Sequence, residues 1–346
     1  KQRTLTFEQL RDEVFGNHWQ DETWHEVLKL ICGLIDAKLS GELIEFLMQL
    51  KIDRSQFIEE VIWRSPAELR SCLRKEGLIN LLLAIECLSE VQNRSTIAEV
   101  DSKLLRVIQN EVESEGSETC LLIEEKYSFT NETANTVLRA IAIAWKGNYQ
   151  VLSWLKKSLL SRKESYVPPA AVRAMVQGWK DDPDTLNALY TIATDQTKVS
   201  TPAMQSRSVR EIVRGWKDDP NTLILLKRLA QTAETPNLQQ VALRELSRGW
   251  KEDSHTLRLL KICAQSDNCF FGVRSEAITE LANGWTYKSW LFEFLCDLAI
   301  NDPFVREHES NRNPRLRAIQ ALLTHYPTQP KTLELLRDRA TNDPDE

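Results

Sequence analysis

One hexapeptide recurs along the chain. Gly178-Trp179-Lys180-Asp181-Asp182-Pro183 returns as Gly215-Trp216-Lys217-Asp218-Asp219-Pro220 and again as Gly249-Trp250-Lys251-Glu252-Asp253-Ser254. Weaker copies at Ala144-Trp145-Lys146, Gly284-Trp285 and His325-Tyr326 extend the series. The anchors are then Trp145, Trp179, Trp216, Trp250, Trp285 and Tyr326, separated by 34, 37, 34, 35 and 41 residues. Self-similarity at a period near 35 residues is the signature of stacked two-helix units, each too small to bury its own apolar face.

Apolar residues keep fixed offsets from every anchor. Eight before it stand Val137, Ala171, Ser208, Ala242, Ala277 and Ala318, mostly small; seven before, Leu138, Val172, Val209, Leu243, Ile278 and Ile319; four before, Ile141, Met175, Ile212, Leu246, Leu281 and Leu322. Offsets differing by three or four trace one stripe of an α-helix. A second stripe follows the anchor. Seven on lie Leu152, Leu186, Leu223, Leu257, Phe292 and Leu333; ten on, Leu155, Leu189, Leu226, Leu260, Leu295 and Leu336; fourteen on, Ala193, Ala230, Ala264, Ala299 and Ala340. Each repeat therefore reads as helix, short turn, helix. Asp182-Pro183 and Asp219-Pro220 place an N-cap before a first-turn proline, as do Thr201-Pro202, Thr235-Pro236 and Asn313-Pro314 at the first helices. The glycine before each Trp is expected in the left-handed conformation that closes a helix. The fold class is all-α, a solenoid of helical hairpins preceded by a helical domain.

Composition agrees with this. The 346 residues hold only 11 glycines, below half the usual share of about 7%, and four of them precede an anchor. The net charge is −6, and it is uneven: residues 1–150 hold 17 basic and 25 acidic side chains, leaving 27 and 25 for residues 151–346. A general nucleic-acid surface needs a basic excess that the whole chain lacks. The seven cysteines (Cys32, Cys72, Cys87, Cys120, Cys263, Cys269, Cys296) contain no C-x-x-C and read as reduced core thiols of a cytoplasmic protein. No apolar run approaches the ~18 residues of a membrane span.

The first half is helical without visible repetition. Thr23 is expected to cap a helix bearing Trp24, Val27, Leu28, Ile31 and Ile35, with Glu26 completing a capping box. Further helices are expected near 41–51, 54–63, 66–75, 78–91, 95–112 and 119–127. The acidic stretch Glu111–Glu118 reads as a linker, dividing a helical domain over 1–115 from repeats over 116–346.

Catalytic signatures are missing. No glycine is followed by lysine, which excludes a Walker A loop; His25-Glu26 lacks a second ligand at Lys29; and no G-x-S-x-G elbow occurs. No catalytic, cofactor-binding or metal-binding residue is assigned. Two columns remain. The anchors Trp145, Trp179, Trp216, Trp250, Trp285 and Tyr326 read either as repeat-packing wedges or as an aromatic ladder for a ligand. Arg139, Arg173, Arg210 and Arg244, six before their anchors, with Arg214 and Arg248 two before theirs, form a basic ladder. It can grip a carboxylate- or phosphate-bearing partner, or it can pair within the chain with turn acids such as Asp181, Asp218 or Glu252. The charged insertion 304–313 between the fifth and sixth anchors reads as a surface loop or a binding loop.

The repeat most resembles HEAT-like repeats. Together, Trp24–Gly33 (WHEVLKLICG), Asn80–Glu90 (NLLLAIECLSE) and the repeated GWKDDP-x-T-L-x-L-L resemble the region downstream of the NACHT ATPase in bacterial, largely cyanobacterial, STAND NTPases, which are NLR-like signalling proteins of the antiviral-defence type. The resemblance implies a ligand-sensing, protein-recognition module that needs no cofactor and performs no catalysis itself. Its partner would be a protein or other macromolecular trigger, and it would pack on an upstream NACHT domain. The first residue, Lys1, fits a fragment of that kind. The alternative is a free-standing HEAT-like scaffold or adaptor, such as an assembly factor or a phycobilin-lyase-like chaperone. A HEAT-like nucleic-acid binder is disfavoured by the charge, and no membrane association is expected.

Overall fold

A computed structural model describes residues 5–62, 69–73, 75–113, 131–160, 169–195, 200–266, 268–306 and 313–342. The chain divides into two compact units, residues 1–185 and 186–346. Among the described residues it is all-α apart from one short antiparallel strand pair. In the first unit lie α1 (7–18, with a π-helical centre at Leu10–Phe15), α2 (His25–Leu34), α3 (Ala37–Gln49), α4 (Ile79–Glu90), α5 (Ala98–Glu113), α6 (Asn131–Ala144), α7 (Tyr149–Leu160) and α8 (Pro169–Trp179). The helix α9 (Pro183–Ala193) carries the division. In the second unit follow α10 (Pro202–Gly215), α11 (Pro220–Thr232), α12 (Pro236–Gly249), α13 (Ser254–Gln265), α14 (Phe271–Gly284), α15 (Leu291–Asn301), α16 (Pro314–His325) and α17 (Pro330–Asn342).

The helix–turn–helix repeat is present throughout, in solenoid-like stacking within the second unit. First helices lie side by side (α10 on α12, α12 on α14, α14 on α16), and each second helix packs on the first helix that follows it (α11 on α12, α13 on α14, α15 on α16). The columns eight and four before the anchor are buried in all six repeats, and the column ten after it in five. Small residues eight before the anchor let neighbouring first helices approach, and the larger residues four before fill the space beneath. Truncating one such position, Leu246 for example, to alanine removes about 3 kcal/mol.

The turn that carries the anchor is nearly identical from repeat to repeat. Trp216, Trp250, Trp285 and Tyr326 end their helices at φ/ψ of −135/43, −134/46, −131/28 and −134/44 degrees. Each anchor carbonyl accepts a backbone N–H three residues on, from Asp219 and Asp253 at 3.2 Å, Lys288 at 2.9 Å and Gln329 at 3.3 Å. At two of these turns a threonine six residues on adds a second bond: Thr222 Oγ1 donates to the Trp216 carbonyl at 2.7 Å and Thr332 Oγ1 to the Tyr326 carbonyl at 3.0 Å. Between them Asp219 and Asp253 cap α11 and α13, accepting from Asn221 N at 2.9 Å and Thr256 N at 3.0 Å.

The glycines before the anchors are not left-handed. Gly147 is the positive-φ glycine among the described residues, at 76 degrees; Gly178, Gly215, Gly249 and Gly284 are helical. Their use is space. A Cβ on Gly178 would stand 3.0 Å from the Ala142 carbonyl oxygen of the neighbouring helix α6. Past Gly249 and Gly284 run the stems of Lys217 and Lys251, each from the preceding anchor turn. Their ammonium groups reach 5.8 Å from the Trp250 ring centre and 5.9 Å from that of Trp285, within cation–π range. The Gly-Trp-Lys signature is thus one contact seen from two repeats.

The first unit departs from expectation in three places. Residues expected as helices near 54–63 and 66–75 include an antiparallel pair instead, β1 (Ile58–Ile62) and β2 (Leu69–Leu73), in register Ile58 to Leu73. The β-branched Ile58, Val61 and Ile62 in so short a run favour a strand over a helix. Thr23 does not cap α2: its hydroxyl donates to Asp21 at 2.7 Å, and Asp21 caps a 3-10 turn that leads into the helix. The start of the acidic linker is helical, with α5 running to Glu113 and Glu111 paired to Arg54 at 2.9 Å. The expected 115/116 boundary and the expected helix at 119–127 lie outside the described residues.

Helical rather than left-handed glycines make a sharp expectation. Gly178→Ala lowers the urea midpoint, because its methyl meets a backbone oxygen. Gly249→Ala, whose added carbon would meet only Lys217 Cε at 3.8 Å, gains roughly 0.5 kcal/mol in the same assay, the helix-propensity difference. Left-handed glycines would lose stability at both sites.

Candidate functional site

The inward positions of the first helices are fixed by packing, so chemical choice is concentrated on their outward faces. In the first unit Arg139 and Arg173 lie exposed on α6 and α8. In the second, Arg210 and Arg214 are exposed on α10, and on α12 Arg248 is exposed and Arg244 half-buried.

The anchor column has a different setting. Trp145, Trp179 and Trp285 are buried, and Trp216, Trp250 and Tyr326 are half-buried. Their polar atoms find partners at the preceding turn: Trp179 Nε1 donates to the Asn148 carbonyl at 3.0 Å, and the Tyr326 hydroxyl to the Thr286 carbonyl at 3.2 Å. Trp145 Nε1 donates to Asp101 at 2.6 Å under the guanidinium of Arg94, 5.8 Å from the ring centre.

Three arginines of the ladder pair within the chain, with helical carboxylates rather than the turn acids. Arg244 donates through Nε to Glu276 at 2.7 Å and stands 3.9 Å from Glu280; Arg248 stands 3.9 Å from Glu280; Arg214 is 3.4 Å from Glu211, which Arg207 approaches at 3.6 Å. The acids beside the expected Asp218 and Glu252, Asp219 and Asp253, cap helices, and Asp253 also pairs with Lys227 at 3.0 Å. Glu211, Glu276 and Glu280 are buried, which an isolated carboxylate does not tolerate without a cation and hydrogen bonds. The sequence carries the signal for two of them: Glu211, Glu245 and Glu280 all stand five before an anchor, one step from the arginine column.

The fifth repeat breaks the arginine column with Thr279, and there the neighbouring helices converge. Arg244 and Arg248 of α12, Glu276, Thr279, Glu280 and Asn283 of α14, and Arg317 of α16 line a polar cleft of about 260 Å³. Ser247 donates a hydrogen bond to Glu280. Burial pushes the Glu280 carboxyl above its ordinary range; the Ser247 hydrogen bond and the charges of Arg248 and Arg244 oppose this, and Glu276 reinforces it. A larger cavity of about 620 Å³ in the same unit is lined by mixed side chains including Leu229, Thr232 and Leu238, without a comparable convergence of charge.

Two buried arginines secure the base of the insertion. Arg315 Nη1 donates to the Asp302 and Phe304 carbonyls at 2.9 and 2.6 Å, and Arg274 pairs with Asp302. Residues 307–312 lie outside the described residues. His25 does not coordinate anything here; its ring donates to the Trp19 carbonyl at 2.9 Å. Among the described residues no group of three or more His, Cys, Asp or Glu is placed to hold a metal ion, and no helix is long and apolar enough to cross a membrane. The described cysteines are unbridged: Cys32, Cys87, Cys263 and Cys296 are buried, and burial beside Cys269 pushes the Cys263 thiol up to about 12. No family model matches the chain, and comparison with curated proteins and with solved structures finds no match either.

The network gives opposite expectations for its two kinds of member. The folded pKa of Glu280 is raised, so the folded state binds more protons than the unfolded one between the ordinary glutamate value and that raised value, and stability falls as pH rises through this window. Glu280→Gln should therefore melt no lower than the parent at pH 7 and show a smaller difference between pH 5 and pH 7. Arg244→Ala removes the guanidinium that stands 2.7 Å from buried Glu276 and should cost about 3 kcal/mol in urea unfolding at pH 7.

Proposed function

We propose that this chain is a non-catalytic recognition module that binds a protein trigger through the outward faces of its first helices, serving as the sensor of a NACHT-type STAND signalling ATPase. The observation that carries the binding part is the arginine column. Packing dictates the residues seven and four before each anchor, whereas Arg139 and Arg210 stand at exposed positions of the same column, and Arg214 and Arg248, though each approaches a buried glutamate, keep their guanidinium groups about two-thirds exposed. Within the second unit, stacking of α10 on α12 repeats these positions from one helix to the next, the arrangement by which repeat proteins build extended binding surfaces. Buried carboxylates interleave with the basic column, which disfavours a continuous track of phosphates and so favours a protein over a nucleic acid. The signalling part rests on the sequence resemblance. A trigger bound here shifts the attached switch by the difference in its affinity for the switch's two states.

Two observations test this. An open reading frame that continues upstream through G-x-x-x-x-G-K-[ST] supports the sensor assignment, and a start codon immediately before Lys1 contradicts it in favour of a free-standing scaffold. In the protein, Arg210→Glu should weaken capture of the trigger while the melting temperature stays within a degree or two. Unchanged capture would overturn the basic-face reading.

A further inference from the structure

The cleft between α12, α14 and α16 has a composition that the repeat alone does not produce. Here three arginines from two helices surround two buried glutamates from the helix between them. Glu276 is satisfied by Arg244 at 2.7 Å. Glu280 takes its short contact from Ser247, and its distances to Arg244 and Arg248 are both 3.9 Å. Arg248 is 67% exposed, with that 3.9 Å approach as its ion pair among the described residues. Arg317, across the cleft, gives one N–H to Gln320 at 2.9 Å. A guanidinium offers five donors, so both arginines retain capacity toward the cleft. Three positive charges against two negative leave it net cationic in a chain whose total is −6. Its volume, about 260 Å³, suits one side chain and is below the range of about 300–1,000 Å³ usual for small-molecule sites.

We infer that this cleft receives an aspartate or glutamate side chain of the protein partner, its carboxylate held between Arg248 and Arg317. The inference rests on the recognition reading above and names one contact within it. Glu276 and Glu280 serve as positioning residues: they hold Arg244 and orient Arg248 at the cleft wall, and Thr279, standing where other repeats carry arginine, keeps the entrance open. The interleaved carboxylates exclude a run of phosphates while leaving room for a single carboxylate, which makes an acidic protein segment the occupant.

A fluorescein-labelled octaglutamate peptide, followed by anisotropy at low salt, tests the assignment. The parent chain should bind it, and Arg248→Glu with Arg317→Glu should weaken binding at least about tenfold, the scale for removing charge-assisted contacts. The milder Arg248→Gln with Arg317→Gln should give an intermediate loss, and its helicity by circular dichroism should match the parent. Arg210→Glu with Arg214→Glu should weaken binding less than the cleft pair does. If the α10 pair abolishes binding and the cleft pair leaves it unchanged, the cleft assignment fails and the basic face stands. If neither pair changes binding, both fail. Tighter binding of a single-stranded oligonucleotide than of the peptide, lost in the cleft variant, overturns the acidic-segment assignment.

Discussion

The helix pairs are held by one recurring turn. At the ends of the first helices of the second unit an aromatic residue, Trp216, Trp250, Trp285 or Tyr326, leaves the helical conformation. In the second unit its carbonyl accepts a backbone N–H three residues on, joined at Trp216 and Tyr326 by a buried threonine hydroxyl, and the lysine beside Trp216 and Trp250 reaches forward over the next aromatic ring. Backbone geometry, hydrogen bonding and packing between repeats are therefore set in the same few residues. The lysine stem passes beside the helical glycine that precedes the anchor, 3.8 Å from where a Cβ would stand on Gly249 and 3.9 Å on Gly284. Once that turn is fixed, the offsets of the apolar columns follow, and with them which residues face outward.

What faces outward is charged in an ordered way. Arginines stand six and two before the anchors, and glutamates five before three of them. On α10 and α12 the carboxylates draw the guanidinium groups down toward the helix surface, as with Arg207 and Arg214 around Glu211. Such pairs are costly to bury and contribute little net stability by themselves. Their effect is to limit the side-chain freedom of a basic surface, so that a partner's carboxylate meets groups already partly ordered. The α14 helix breaks the pattern, and that break creates the cleft.

Much of the repeat was legible in the sequence, because burial of a fixed set of helical positions leaves a periodic trace: the columns eight and four before the anchor are buried throughout, whereas the column seven after it is buried at Leu152, half-buried at Leu186, Leu223, Leu257 and Phe292, and exposed at Leu333. Three features were not legible for physical reasons. The conformation of Gly178 depends on the nearness of the Ala142 carbonyl, a tertiary contact with no local signature. The strands Ile58–Ile62 and Leu69–Leu73 are too short for periodicity to separate from helix. The partners of Arg244 and Arg248 lie about one repeat downstream, on Glu276 and Glu280, and pairing across stacked helices is set by their rotation rather than by nearness in sequence. The arginine column itself was visible, but the cleft emerges only when α12, α14 and α16 are placed together.

The central claim is that the repeats are interchangeable units joined through one turn. Excising residues 217–250 tests it directly, since this removes one period and joins Trp216 to Lys251 with every offset preserved. Arg210 and Arg214 then occupy the places of Arg244 and Arg248 opposite Glu276 and Glu280. The account predicts unchanged helical ellipticity per residue and one cooperative unfolding transition, whereas removing only 217–233 disrupts the register and loses both. Loss of helicity on removal of the full period would contradict it.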